Sequence, residues 1–444
     1  MHGKGIRKRS LFIALLNVIV IGFSVGHAAI FRISPAQEVK MGQSLAQEVF
    51  RNFIIFKEDS DRLARIGRRL LGAGPWPKEF ARSYSFWVVR DPKNPDMINA
   101  FCAPGGFICF YKTLYDELDK RYGEAAIAAV MAHEIEHAAR HHVAREMGKT
   151  IDLHLLITIL TRKSSESVKD LGSLFVRFQN LQFSREHENE SDEWGLVRLW
   201  RAGYPATAMS QPFEYFSSLP GNRPPKYLSS HPPDKEHIAK ARQRAEYLAQ
   251  RNPSDILSES HIVHRDGKVY VAAGWVDGVT ADTTIVVESL GGRTFRVERK
   301  SIRFSETQVR AKTHELPEGT VVRFAPPLRG YHDEPAAIGS VTAVQPSSNT
   351  ITVDLGRWHK LTPGLVYDIL TWRFEEEMDD SGKTVKGRVA KPLATARVKE
   401  VRERECVMEL TDFEPKPDSA SGEKFSAHDI LIGDEVRRSG WMED

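Results

Sequence analysis

Cysteine is scarce. Only Cys102, Cys109 and Cys406 occur in 444 residues, which excludes a scaffold stapled by disulfides. A bilayer-spanning run is missing too. The longest apolar stretch, 11–25, is interrupted by Asn17, Gly22 and Ser24 and falls short of the ~20 residues a spanning helix needs. There is no large excess of charge of either sign. The formal net charge is +3, and removing the four basic residues Lys4, Arg7, Lys8 and Arg9 takes it from +3 to −1. So little charge offers a polyanion almost no counterion-release affinity, so no nucleic-acid role is expected.

What is present begins with those same basic residues. They precede the apolar run, and the small residues Gly26, Ala28 and Ala29 follow it. This is the layout of a secretory signal peptide, residues 1–28, with cleavage after Ala28. No cysteine lies near that point, so lipoprotein processing is not indicated. The expectation is an exported, periplasmic mature chain. Retention of the segment as an anchor, and with it membrane association, is the alternative.

Hydrophobic residues make up 41% and charged residues 27%, as in ordinary soluble globular proteins. The length calls for two or three domains. The pattern changes near residue 250. Before it, amphipathic helices are predicted over 35–53, 59–71, 122–147, 175–201 and 235–251, with a short strand over 83–89. After Asn252-Pro253 the period becomes two, in short alternating segments between Gly, Pro and Asp turns. The fold class is therefore α+β: a mainly helical domain, 29–250, then β modules over 251–330 and 331–444. The β half shows a weak internal repeat. Lys268–Gly274 resembles Thr350–Gly356, and Val279-Thr280 then matches Leu361-Thr362 in register. Gly319 stands before Val322-Arg323 as Gly433 does before Val436-Arg437. Residues 374–388 read as an extended hairpin tip and 415–424 as a loop. A two-residue turn at Gly105-Gly106 would set Cys102 opposite Cys109, within disulfide reach; two separate buried thiols are the equal alternative.

The chemistry lies in His133-Glu134-Ile135-Glu136-His137, an HExxH motif. Positions i and i+4 share one helix face, so both imidazoles can reach one ion. Glu134 then projects beside that ion, where it can move a proton. The apolar positions Ala126, Ile127, Val130, Met131 and Ala138 give this helix a buried side. Zinc is the expected ion, one per chain. A third ligand is needed. One class of zinc peptidase uses a His six residues after the second His, following a Gly; Val143 and Arg140 stand at those places, so that class is excluded. Glu186, Glu188, Glu190 and Glu193 remain, and spacing does not choose among them. As a run they also read as a solvated acidic face.

Four ordered segments resemble one family. They are Asn99-Ala100-Phe101-Cys102-Ala103-Pro104-Gly105-Gly106, then His133 through His141-His142, then Ser184-Arg185-Glu186-His187-Glu188-Asn189-Glu190-Ser191-Asp192, then Gly203-Tyr204-Pro205. Together they are similar to the HtpX, BepA and CAAX-prenyl-protease type of zinc metallopeptidase, and most to its periplasmic BepA-like branch. The resemblance implies Glu188 as third zinc ligand and Asp192 as the residue that orients a ligand imidazole. It implies that His231, in Ser230-His231-Pro232, can approach the metal as an auxiliary or latch ligand. It also implies an edge strand at Asn99, Ala100 and Phe101 that holds an extended peptide. His141 and His142 are read as packing or surface residues, and 151–160 as a core helix or a lid. The expected function is a metalloendopeptidase acting on unfolded or misassembled envelope proteins, with Glu134 as general base. A non-catalytic scaffold or chaperone is the alternative. Where members of the BepA-like branch carry helical repeats, this chain carries its β region, the candidate surface for an envelope protein partner.

Overall fold

The structure, a computed structural model, describes residues 33–73, 83–150, 175–220, 225–231, 235–253, 255, 257–288, 294–328, 338–378, 384–416, 422–432 and 434–439. The signal-peptide layout of 1–28, the segment 151–160, Pro232 and part of the loop 415–424 lie outside the described residues. No described helix is long and apolar enough to cross a membrane.

Helix α1 (Pro35–Asn52) starts at a capping box. Ser34 Oγ accepts from the Gln37 N–H at 3.4 Å, and Gln37 Oε1 accepts from the Ser34 N–H at 2.8 Å. After it come β1 (Ile54–Ile55), α2 (Lys57–Gly72), β2 (Ser85–Arg90), β3 (Ala100–Ala103) and β4 (Phe107–Tyr111). The sheet order is β1-β2-β4-β3; β2 runs parallel to β4, and β3 is an antiparallel edge. Alternation along the strands divides their side chains between two cores. Phe86, Val88, Ala100, Cys102, Ile108 and Phe110 pack with Leu63, Leu70, Ile127 and Met131. Trp87, Val89, Phe101, Ala103, Phe107 and Cys109 pack with Met41, Leu45 and Val49 of α1. The sheet is thus a middle layer between helices.

This register corrects the expected cysteine pairing. The β3–β4 connection is a three-residue 3-10 turn, Pro104–Gly106, not a two-residue one. Cys102 therefore pairs with Ile108, and Cys109 with Phe101. The two thiols lie on opposite faces of the sheet, and all three cysteines are free.

Two expected helices are also shorter than predicted. A helix the sequence reading did not assign, α3 (Lys112–Tyr122), precedes the pattern over 122–147, which divides into α4 (Glu124–Ala139) and α5 (His142–Thr150). Gly123, at φ 75°, separates the first two, and His141, at φ 58°, separates the last two. The pattern over 175–201 is interrupted at 180–184. There Ser184 accepts from the His187 N–H at 3.2 Å and starts α6 (Arg185–Arg201) afresh. The domain finishes with α7 (Gln211–Ser218), α8 (Lys226–Ser230) and α9 (Lys235–Ala249).

The β half is a structural duplication. Its first unit holds β5 (Leu257–Arg265), β6 (Lys268–Val271), β7 (Thr284–Glu288), β8 (Thr294–Arg296), β9 (Arg299–Ile302), β10 (Thr307–Val309) and β11 (Val321–Leu328). The second holds β12 (Ile338–Gln345), β13 (Thr350–Val353), β14 (Val366–Met378), β15 (Thr384–Val401), β16 (Cys406–Phe413) and β17 (Glu435–Arg438). β11 bridges β5 and β7 as β17 bridges β12 and β14; β10 lies between β6 and β9 as β16 lies between β13 and β15. The second unit closes into a six-stranded barrel. Its β14–β15 pair forms the expected long hairpin, whose turn, 379–383, is outside the described residues.

Each unit carries the same 3-10 turn after its second strand, Trp275–Asp277 and Arg357–His359. In each, the last side chain accepts from the backbone N–H of the preceding glycine: Asp277 Oδ2 from Gly274 at 2.8 Å, His359 Nδ1 from Gly356 at 3.0 Å. Only glycine fits there, because a Cβ on Gly274 or Gly356 would come within 2.3 or 2.6 Å of a backbone oxygen. Both turns dock on α6. Trp275 stacks on Trp194 at 4.2 Å and donates to Glu193 Oε1 at 3.0 Å. Trp358 donates to the Trp200 carbonyl at 3.3 Å. Arg69–Asp354 (3.2 Å) and Arg251–Asp277 (3.1 Å) complete the interface.

Candidate metal centre

Helices α4 and α6 build the site together. Gly195 allows their close approach, since a Cβ there would stand 3.2 Å from the backbone of Ala132 and His133. Along α4, His133, Glu134 and His137 are all buried. Glu188, one turn into α6, faces them, and His231 enters from the end of α8.

These four donors, His133, His137, Glu188 and His231, offer one ligand atom each within 4.8 Å of one another. His137 Nε2 is 2.9 Å from His133 Nε2 and 3.3 Å from Glu188 Oε1. His231 Nδ1 is 3.2 Å from His133 Nε2 and 3.0 Å from Glu188 Oε1. A tetrahedral ion bound at about 2.0–2.1 Å separates its ligand atoms by about 3.3 Å. The donor set therefore fits a zinc-sized ion in both spacing and chemistry: three imidazoles and one carboxylate in a dry pocket.

Electrostatics agree. Burial alone would raise the Glu188 carboxyl, yet His231, His137 and His133 hold it well below its usual range. Burial drives His137 well below the ordinary imidazole value, outweighing Glu188. Burial also presses on His133, but its bond to Asp192 and the nearby carboxylates lift it to about 9. Glu134 is raised by burial, with His231 and His133 opposing. One ionised carboxylate and three imidazoles within reach of one point form a donor set that a divalent cation can complete.

The remaining expected residues fall into place around this cluster. Asp192 Oδ1 accepts from His133 Nδ1 at 2.7 Å. Glu134 is not among the four donors. Its Oε1 is buried without a hydrogen-bond partner among the described residues and lies 3.6 Å from His231 Nε2. Of the other carboxylates in the acidic run, Glu186 is exposed, Glu190 bonds Arg140 and His142, and Glu193 bonds Trp275. Asn99 is buried next to β3, and Ala100 and Phe101 lie on the edge strand. His141 is half-buried against Glu38, and His142 is fully buried against His137.

Two neighbours escaped the sequence reading. Tyr227 lies beside Glu134, where its hydroxyl helps to hold the carboxyl pKa down, and its ring stacks on His231 at 4.5 Å. Phe183 covers His137 at 4.0 Å between centroids. The spacing of four between Tyr227 and His231 was the one available signal for the first.

Comparison with known proteins bears on the same residues. The sequence model of peptidase family M48 matches residues 58–245. The mitochondrial metalloendopeptidase OMA1 of Arabidopsis thaliana is 31% identical over 185 residues, 41% of this chain and 34% of that protein. The beta-barrel assembly-enhancing protease of Escherichia coli is 25% identical over 238 residues, 50% of this chain and 47% of that protein. The metalloprotease LoiP of Escherichia coli is 23% identical over 218 residues, 48% of this chain and 82% of that protein. The match spans half or less of the first two relatives. The stretch that matches the model of peptidase family M48, residues 58–245, holds every residue of the candidate metal centre.

Proposed function

We propose that this chain is a zinc-dependent endopeptidase of the cell envelope that cleaves unfolded or misassembled envelope proteins. Residues 29–250 would form the peptidase domain, and 251–330 and 331–444 two β modules that receive a protein partner. One observation carries the catalytic part. Glu134, on the HExxH helix, keeps an unpaired buried oxygen beside a four-donor cluster. A scaffold that only held clients would have no use for such a costly group.

In this reading His133, His137 and Glu188 hold zinc. Zinc bound there would lower the pKa of a bound water to about 7 and would polarise the scissile carbonyl. Glu134 Oε1 takes the proton of the attacking water and passes it to the leaving amine nitrogen. Asp192 keeps the His133 proton on Nδ1, so Nε2 stays a lone-pair donor. An extended substrate would pair with the β3 edge at Asn99, Ala100 and Phe101, which favours backbone over sequence recognition. The proposed compartment, the periplasm, rests on the layout of residues 1–28.

The test is cleavage of an unfolded casein by the full-length chain. A strong chelator abolishes cleavage, and one equivalent of Zn2+ restores it. Cleavage untouched by thorough metal removal would sink the proposal.

His231 would fill the position a substrate needs, and so act as a latch. His231 Nε2 also lies 3.6 Å from Glu134 Oε1, so withdrawal of α8 would free the base and the metal position together. If His231 is in place about nine-tenths of the time, His231→Ala raises kcat/KM about tenfold. Unchanged or lower activity would count against the latch.

A further inference from the structure

An imidazole that offers Nε2 to a metal carries its proton on Nδ1, and in a dry site that N–H needs an acceptor. His133 has the Asp192 carboxylate. His137 has no carboxylate on that side: its Nδ1 faces the Nδ1 of His142 at 3.2 Å. Two ring nitrogens at that distance share one proton, so one donates and the other accepts.

The far side of His142 decides which. Its Nε2 lies 3.1 Å from Glu190 Oε2, and a carboxylate only accepts. The single proton of neutral His142 is therefore on Nε2, leaving Nδ1 as a lone pair. Ser191 Oγ lies 3.2 Å from the same Nδ1 and can donate to it as well. Full burial of His142 keeps the ring neutral, because a second proton would have to enter a dry pocket.

We propose that His142, backed by Glu190, is a positioning residue that fixes His137 in the tautomer and orientation needed to hold the metal. The proposal rests on the reading of His133, His137 and Glu188 as ligands. It gives the two imidazole ligands different support: an anionic carboxylate behind His133, a neutral ring behind His137.

Other features hold this relay in place. His141 adopts φ 58°, a left-handed conformation that non-glycine residues rarely hold. That turn ends α4 and brings His142 back beside His137. The His187 ring stacks on His142 at 4.2 Å between centroids. Glu190 is gripped by Arg140 at 2.7 Å, and Arg140 also bonds Glu136 Oε2 at 3.0 Å. Arg140 lies over Trp194, the ring on which Trp275 of the first β unit stacks.

The test is Zn2+ affinity of the full-length chain, measured by competition with a chromophoric chelator, alongside the Tm of the metal-free protein. His142→Leu weakens binding about 10–100-fold with the metal-free Tm near wild type. His142→Asn, whose amide oxygen can take the place of Nδ1, recovers most of the loss. Affinity of His142→Leu within about twofold of wild type, or His142→Asn as weak as His142→Leu, overturns the proposal. If His142→Leu does not fold, Glu190→Leu is read instead, and an unchanged affinity there is the overturning result. A wild-type chain that binds no Zn2+ defeats the metal-site reading itself, so the two failures are distinct.

Discussion

Replacing Glu134 with glutamine lowers kcat/KM for an unfolded casein by about 10²–10⁴-fold, the range typical of losing a positioned general base. The change is nearly isosteric. The Tyr227 ring keeps its stacking on His231, so α8 stays in place. What is lost is the basic lone pair on a carboxylate whose pKa burial has already raised toward the working range. Because Glu134 is outside the four-donor cluster, Zn2+ affinity stays close to wild type. The pair of readouts separates a base from a ligand: loss of both activity and metal would assign Glu134 to the ion instead. Cleavage equal to wild type would falsify its role as base. The comparison is run in the His231→Ala background as well, where a closed latch cannot hide the difference.

How much of this was legible in the sequence follows from which contacts are local. The HExxH helix was readable because its two imidazoles and Glu134 are separated by fixed steps on a single helix. Asp192 follows Glu188 by one turn for the same reason. Which glutamate faces the two imidazoles was not readable from spacing, because four glutamates share the run and only the crossing of α6 over α4 selects among them. His142 was legible as a residue but not as a partner of His137. A helix continued through 147 would carry it away, and the left-handed turn at His141 carries it back.

The same logic separates the β half. Its period-two pattern and internal repeat needed only neighbouring residues, and the repeat appears in the structure as two units with equivalent strand order. The docking of Trp275 and Trp358 needed partners on α6, far off in sequence, and left no local trace. The cysteine pairing shows how a one-residue difference in turn length inverts a face. Adding Pro104 to the turn moved Cys102 to the opposite side of the sheet from Cys109.

Arg198→Ala is strongly destabilising. The Arg198 side chain is 1% exposed; it donates to Glu136 Oε1 at 2.7 Å and to the Leu70 carbonyl at 3.1 Å. It thereby ties α6 to α4 and α2. Removing it leaves Glu136, itself 3% exposed, buried with Arg140 as its remaining cation. Taking one of its two cations from a buried carboxylate costs up to about 3–5 kcal/mol, and for a domain of this size that lowers the Tm by up to about 6–20 °C. Lysine does not substitute, since a single ammonium lacks the planar fork that serves both acceptors. The double change Arg198→Met with Glu136→Leu removes the charge together with its partner and recovers much of the loss. A double variant as unstable as Arg198→Ala would show that packing volume, not charge, sets the cost. Glu136 also anchors Arg140, and through Arg140 the Glu190 carboxylate behind His142. The double variant should therefore regain stability yet bind Zn2+ more weakly than wild type, which separates the energy that holds α4 against α6 from the geometry that holds the metal.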